Sequence, residues 1–527
     1  MKKLKDSGLI YGACFFAAAI LTRIGFRSRW LYSWDSANFA LGLLRFSPRD
    51  HQPHPPGYPL YIVVGRVVNH FLSDPNESLV LISIFCGAIA VAGIYFAGDR
   101  IFDRRTGVIA AWLLLFSPLV WFQSEVALSY IVELPFVVVL SWLLYELFWH
   151  RRFAIITAVV IGVAGGFRQD VFFLLPFFFI GTMRLKDRRH ILFSWVTLAL
   201  FILIWFLPFL YFSGGLSAYR DISSIQFQGA VTKNAFWNAG ITGVIGNLLD
   251  IWRALLWLFG FSSLGILVIW LQAIKGESKR IDRRLLLLLA LPMPAFVFFA
   301  ATNFAQPGYS LVAVPFILIL ARSLAVVSGE INFKFFKLKS ASLVLTFLLI
   351  CAVFNSLMFL KIDKFDWVLP TTGATIRSDY ESVSLSGIET VDNNLTAWIQ
   401  TIEKSDPDST LVISTSPMDY GFFGSYSRQL VFYLRDYRVL WLQLDSDQPP
   451  HQFQNQFEIF SSNKNEHDIS IPAQITKIFF VGASPQEINK YLRPKLVLVN
   501  VIGGAPLTSS EMPPQGSFEI GPYIIHK

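Results

Sequence analysis

Charge and cysteine are both scarce in this chain. Only 15% of its 527 residues are Asp, Glu, Lys or Arg, against about 25% in an ordinary soluble domain. With 54% hydrophobic residues, there is too little polar surface to cover a single soluble globule, and that class is excluded. The three cysteines, Cys14, Cys86 and Cys351, lie far apart in apolar runs. Such spacing rules out a disulfide framework and a cysteine metal cluster, leaving three small buried hydrophobes. There is no internal repeat and no low-complexity run, which weighs against the paired inverted halves of a secondary transporter. The net charge of +8 does not imply a nucleic-acid partner. Most Lys and Arg sit in short loops between apolar runs, as the positive-inside rule expects of a membrane protein.

What the chain has in abundance is hydrophobic length, with a mean hydropathy of +0.51. A spanning helix needs about 20 mainly apolar residues. Eleven candidate stretches occur at 8–26, 78–98, 107–123, 129–149, 153–168, 171–184, 191–213, 254–274, 285–302, 309–328 and 340–361, the fifth and sixth being short. The basic start Met1-Lys2-Lys3-Leu4-Lys5 precedes the first, and Ile24-Gly25-Phe26-Arg27 offers no small-residue cleavage site. An uncleaved first span with a cytoplasmic N-terminus follows. Basic loops at Arg100, Arg104 and Arg105, at Arg151 and Arg152, at Arg184 to Arg189, at Lys275 to Arg284 and at Lys334 to Lys339 then fall on the side of the N-terminus. Loops 27–77 and 214–253 and the tail fall on the other. The tail is polar, with strand candidates at 410–414, 439–442, 478–482 and 496–499 and a helical stretch near 420–436. The expected fold is therefore mainly α. A polytopic membrane helical bundle of about eleven transmembrane helices (1–362) carries a small extracytoplasmic α/β C-terminal domain (363–527).

Polar chemistry concentrates just after the first apolar run, where ionisable groups are functional candidates by default. Trp34-Asp35-Ser36-Ala37-Asn38-Phe39 opens a helical pattern. Asp35 reads either as its N-cap or as a general base that takes a proton from a hydroxyl. Downstream stands Arg49-Asp50-His51-Gln52-Pro53-His54-Pro55-Pro56-Gly57-Tyr58-Pro59-Leu60-Tyr61. Its prolines fix φ and restrict their neighbours. His54 and His51 could contact a phosphate or the attacking hydroxyl, or serve only as surface groups of a re-entry turn. Asp35, Asp50, His51 and His54 could hold a divalent ion, although no spacing matches a zinc pattern. Arg168, in Gly165-Gly166-Phe167-Arg168-Gln169-Asp170, has the planar fork suited to phosphate oxygens; alternatively it snorkels or pairs with Asp170. Further candidates for substrate contact are Tyr58, Glu125, Tyr130 and Gln306, then Glu133, Arg220, Asp221 and Lys233.

Trp34-Asp35-Ser36-Ala37-Asn38-Phe39 followed by His54-Pro55-Pro56-Gly57-Tyr58-Pro59 resembles the first outer loop of GT-C glycosyltransferases, in particular the bacterial protein O-mannosyltransferase-like branch. The resemblance covers roughly residues 8–330 and leaves the tail unassigned. It implies a polyprenyl-phosphate sugar donor and transfer at the non-cytoplasmic face; separately, no cofactor is expected to be required. It also implies Asp35 as the catalytic carboxylate and Arg168, helped by His54, as the donor-phosphate group. Several relatives carry two adjacent acids or an Asp-X-Asp pair at that loop, whereas this chain has Asp35-Ser36-Ala37-Asn38. The expected activity is sugar transfer to a hydroxyl of a protein, lipid or glycan, in a bacterial inner membrane. The rivals are a lipid-linked-sugar flippase that breaks no bond and a non-catalytic scaffold.

Overall fold

The computed structural model describes residues 2–227, 234–267, 282–330, 340–361, 383–415, 426–444, 451–454, 457–459, 467–502 and 506–527. Lys233, Lys275, Lys279, Arg280, Lys334, Lys337 and Lys339 lie outside the described residues, as do 268–274, 363–382 and 420–425. The chain divides into two compact units. One comprises Met1–Arg27, Pro55–Phe365 and Ser382–Ser386; the other comprises Ser28–His54, Asp366–Glu381 and Gly387–Lys527. The loop that carries Asp35 thus shares a unit with the tail.

The helices follow the apolar runs. In chain order they begin α1 (Lys2–Arg23), α2 (Trp34–Leu44), α3 (Pro59–Leu72), α4 (Pro75–Ile101), α5 (Arg104–Leu115), α6 (Pro118–Glu125), α7 (Tyr130–His150), α8 (Ala154–Phe167), α9 (Leu175–Met183), α10 (Arg188–Phe212), α11 (Gly215–Gln226) and α12 (Phe236–Phe259). The helices Arg283–Ala290, Met293–Ala301, Pro315–Glu330 and Ser340–Lys361 follow. All but α2 belong to the first unit. Six described helices are long and apolar enough to cross a membrane, or up to eight elements if each bent pair is one span. Ten of the eleven expected stretches fall on a helix or a bent pair, and the described part of the eighth, 254–267, falls on the helix Phe236–Leu267. The chain is an integral membrane protein.

The bends have a local cause. α5 and α6 meet at 58° where Ser117 caps a helix that starts at Pro118, and a bend of 51° precedes Pro315. Proline suits the first turn of a helix, since the N–H it lacks would have no partner there. α4 and α5 cross almost backbone to backbone, because a Cβ on Gly98 would sit 2.7 Å from the Cα of Gly107. Small residues at a crossing are how membrane helices gain van der Waals contact without a hydrophobic driving force. On α10, Leu192, Phe193, Leu200, Ile204 and Leu207 are exposed, a lipid-suited face. α3 is a short apolar helix that the hydropathy reading passes over as loop.

In the second unit the tail forms two sheets among the described residues. The larger has strand order β4 (Phe457–Ile459), β3 (His451–Gln454), β2 (Arg438–Leu442), β1 (Thr410–Thr415), β6 (Lys477–Val481), β9 (Leu507–Glu511), β8 (Val499–Ile502); the smaller has β5 (Asp468–Ser470), β11 (Tyr523–His526), β10 (Ser517–Ile520), β7 (Leu492–Arg493). β1 (Thr410–Thr415), β2 (Arg438–Leu442) and β6 (Lys477–Val481) match three of the expected strands. β1 pairs parallel with β2, and the helix Ser427–Tyr433 lies on the connection between them, the strand–helix–strand unit expected of an α/β domain. Leu411, Ile413, Leu440, Ile478 and Phe480 share one core with Ile469, Phe518, Ile520 and Ile525 of the smaller sheet. The alternate residues Val412, Val439, Trp441 and Phe479 are buried too, so both faces of the central strands are covered. The fourth expected strand is displaced. Pairing starts only at Val499 (β8, Val499–Ile502), while Leu496 and Leu498 reach the core from an irregular segment.

Candidate functional site

Asp35 is not the N-cap. Ser33 has extended backbone and its side chain accepts the N–H of Ser36 at 3.2 Å, while Ser36 reciprocates toward the Ser33 N–H. This closed capping box satisfies the donors that Asp35 would otherwise take. Asp35 therefore sits one residue inside α2, in the first turn, where the helix dipole favours negative charge. Its side chain is only 12% exposed. His54 Nδ1 lies 3.5 Å from Asp35 Oδ1, and the His54 ring rests against Phe39 at 5.3 Å between centroids. Asp35 and His54, read from sequence as separate candidates, are neighbours.

The intervening turn is tightly built. Ser47 and Gln52 exchange backbone hydrogen bonds, the Ser47 N–H donating at 2.6 Å and the Gln52 N–H at 2.9 Å. Between them runs a single 3-10 turn, Pro48–Asp50, and His51 has φ 55°. A left-handed backbone at a non-glycine residue costs free energy and persists only where the surroundings enforce it. The His51 ring meets Trp34 edge-on at 5.6 Å. Asp50 accepts from Ser47 Oγ at 2.7 Å and lies 3.5 Å from Arg45 Nη2. The proposed cation set of Asp35, Asp50 and His51 does not gather, because Asp50 turns to Ser47 and Arg45. Among the described residues no three His, Cys, Asp or Glu side chains form a cluster that could hold a metal ion.

In the helical unit, Arg168 follows the last residue of α8 and is 3% exposed. It is paired, not free. Nε donates to Asp170 Oδ2 at 3.1 Å, and Nη2 contacts the same oxygen. Nη1 donates to Ser129 Oγ at 2.9 Å, and Glu133 Oε2 lies 3.3 Å from Nε. The guanidinium stands over the Tyr130 ring at 4.2 Å and over Tyr58 and Tyr309 at 5.6 Å each, favourable cation–π distances. Tyr58 reaches there from a residue with φ 45°, after Gly57 with φ 96°. Gly308 is required here, since a Cβ would lie 2.3 Å from the Tyr130 ring. A cavity of about 10 Å³ beside Glu133 and Asp170 has room for about one water, and none for a phosphate.

Glu125 closes α6 and is fully buried. It faces Arg23 and Trp121, while Arg23 donates to the Leu115 carbonyl at 2.6 Å. It is thus buried, not an exposed interface anchor. Gln306 is half-buried and caps the 3-10 turn Pro307–Ala313. Arg220 and Asp221 are exposed on α11. Sequence reading missed Ser129 and Arg23, and it missed Arg428 of the tail. Arg428 Nε donates to Asn38 Oδ1 at 2.7 Å, and Nη2 donates to the carbonyls of Asp50 at 2.9 Å and His51 at 3.1 Å. A lone arginine in an amphipathic tail helix gives no local signal of such a role.

Comparison with known proteins places these features. Residues 53–212 match a family model described as dolichyl-phosphate-mannose-protein mannosyltransferase. A search of curated proteins finds no match. Among solved structures, ArnT from Cupriavidus metallidurans bound to undecaprenyl phosphate is similar at 12% identity, covering 95% of this chain and 97% of ArnT with a TM-score of 0.53. Its apo state matches at the same identity and TM-score, over 97% and 98%. The oligosaccharyltransferase AglB from Archaeoglobus fulgidus, in complex with an inhibitory peptide and a dolichol-phosphate, is similar at 13% identity, covering 90% of this chain and 69% of that one with a TM-score of 0.48.

Proposed function

Since the chain has the GT-C glycosyltransferase fold, we propose that it transfers a sugar from a polyprenyl phosphate to a hydroxyl acceptor at the extracytoplasmic face, with Asp35 as general base. The observation that carries this reading is the state of Asp35. It is a buried carboxylate in the first turn of a separately capped helix, with a histidine 3.5 Å away. The acceptor hydroxyl gives its proton to Asp35 as its oxygen bonds to the anomeric carbon. The bond from that carbon to the phosphate oxygen breaks, and the polyprenyl phosphate leaves with the electron pair. A phosphate monoester is a fair leaving group, so no strong acid is required. His54 orients the Asp35 carboxylate through Nδ1 and offers its other ring nitrogen to the departing phosphate.

Arg168 is the proposed phosphate-side cation of the helical unit. Two carboxylates already match its charge, so a phosphate binds there by exchange. Asp170 is the partner that yields, because its side chain is 20% exposed against 3% for Glu133. Tyr58, Glu125, Tyr130, Gln306 and His51 are the proposed contacts for sugar and acceptor. The membrane is bacterial and the tail extracytoplasmic in this reading. The undecaprenyl phosphate of the ArnT structure supports a lipid-phosphate donor.

The test uses the full chain in lipid nanodiscs with a panel of undecaprenyl-phosphate sugars, undecaprenyl-phosphate mannose first. Released undecaprenyl phosphate and glycosylated product are read by mass spectrometry. Asp35→Asn at matched expression should lose at least ~100-fold in turnover, the contribution typical of a general base. Near-normal turnover by that variant removes the assignment. Lipid translocation without bond cleavage removes the reaction itself.

A further inference from the structure

We propose that Arg428 of the tail is a positioning residue for Asp35, an inference that rests on the transfer reaction proposed above. It is 2% exposed in the helix Ser427–Tyr433, and its guanidinium joins two pieces of the first outer loop. Nε holds Asn38, which lies one turn beyond Asp35 on α2 and is fully buried. Nη2 holds the consecutive carbonyls of Asp50 and His51. The aromatic faces of Trp34 and Phe453 flank the same guanidinium at 5.7 and 5.3 Å. One planar fork therefore ties the helix of Asp35 to the turn that leads into His54. It donates to two adjacent carbonyls at the left-handed turn of His51. Only an arginine presents donors in this fixed arrangement; a lysine ammonium reaches one of the three acceptors well.

The tail also grips the start of the loop. Asp392, on the helix Leu385–Ile402, accepts from the N–H groups of Arg29 and Trp30 at 3.0 and 3.1 Å and from Ser28 Oγ at 3.2 Å. Tyr433 Oη accepts the Leu31 N–H at 2.9 Å, and Trp30 Nε1 donates to Thr396 at 2.8 Å. The loop supplies one short helix and one tight turn. The side-chain hydrogen bonds that fix them relative to each other come from residues some 360 to 400 positions later in the chain. The tail acts as the mould of the catalytic loop, and a misplacement of about 1 Å at a reacting group is enough to cost ~100-fold in rate.

The experiment compares wild type, Arg428→Lys, Arg428→Gln and Asn38→Ala as full-length protein in nanodiscs. Amide hydrogen exchange is measured at 33–54 and at the core strands 411–413 and 478–480. In Arg428→Gln the loop amides should exchange at least ~10-fold faster while the strand amides keep their protection. Turnover of the undecaprenyl-phosphate sugar used by wild type should drop ~100-fold, with KM for that donor within about twofold. Arg428→Lys should recover part of both losses. Adding Asn38→Ala to Arg428→Gln should cost little more, since Arg428→Gln has already removed the bond that Asn38 makes. Loop exchange at the wild-type rate overturns the proposal, and so does faster exchange in the core strands, which makes Arg428 a folding residue of the sheet. Should Asp35→Asn turn over normally, the base assignment falls on that result alone, and the exchange data still decide whether Arg428 orders the loop.

Discussion

Asp35 and Arg168 are both nearly buried ionisable groups, each in its own unit, and they are provisioned in opposite ways. Asp35 has a serine box capping its helix for it and a single histidine at 3.5 Å. Arg168 has two carboxylates, a hydroxyl and three tyrosine rings. A buried charge with few partners is costly, and such cost is tolerated where the group must exchange a proton. A buried charge with many partners is fixed in place, and removing it strands the others. In the proposed reaction the difference separates a group that reacts from one that holds, and any phosphate at Arg168 displaces a carboxylate.

The largest effect that sharpens this contrast is on stability. Arg168→Gln leaves Glu133 and Asp170 facing each other without a cation, and should destabilise the helical unit by about 3–5 kcal/mol. Thermal unfolding in detergent reads it, and an unchanged midpoint shows that the cluster is not a lock. Ser33→Ala opens the capping box of α2, at a cost of about 1 kcal/mol. It also frees N–H groups that recruit the Asp35 carboxylate, so turnover should fall along with loop protection. A variant with full turnover means that Asp35 is not kept in reserve by its cap. Asp170→Asn is the mildest change and moves Arg168 toward the less paired condition. Undecaprenyl phosphate should then bind about threefold tighter, the scale of one partly exposed ion pair, measured by titration in nanodiscs. Weaker binding argues against exchange at this arginine.

Much of the helical unit was legible because lipid imposes length and apolarity on every spanning helix, so runs such as 78–98 and 129–149 read directly. The bends before Pro118 and Pro315 were less visible, since proline marks a helix start as readily as a break. Asp35 and His54 stood out as polar groups in a costly place. Their pairing did not, because it depends on how the Ser47–Gln52 turn folds back. The cap was not legible for a definite reason: Asp35 and Ser33 are about equally good caps by residue type, and the usual Glu or Gln of a capping box is replaced by Ser36. Arg428 was invisible, since its partners are 377 to 390 residues away and no local period reports a contact of that separation. In the tail, β1, β2 and β6 were found as continuous apolar runs buried on both faces. The shorter strands, such as β5 (Asp468–Ser470) and β10 (Ser517–Ile520), have too few residues for alternation to register.

Because residues 28–54 and 387–527 form one unit, the protein has a modular boundary that linear gene editing would cut through. A chimera that exchanges the tail alone would graft a foreign mould onto a native loop, and one that exchanges the loop alone would do the reverse. Transplanting this unit intact calls for moving both segments together, as a discontinuous cassette inserted around an otherwise untouched helical chassis.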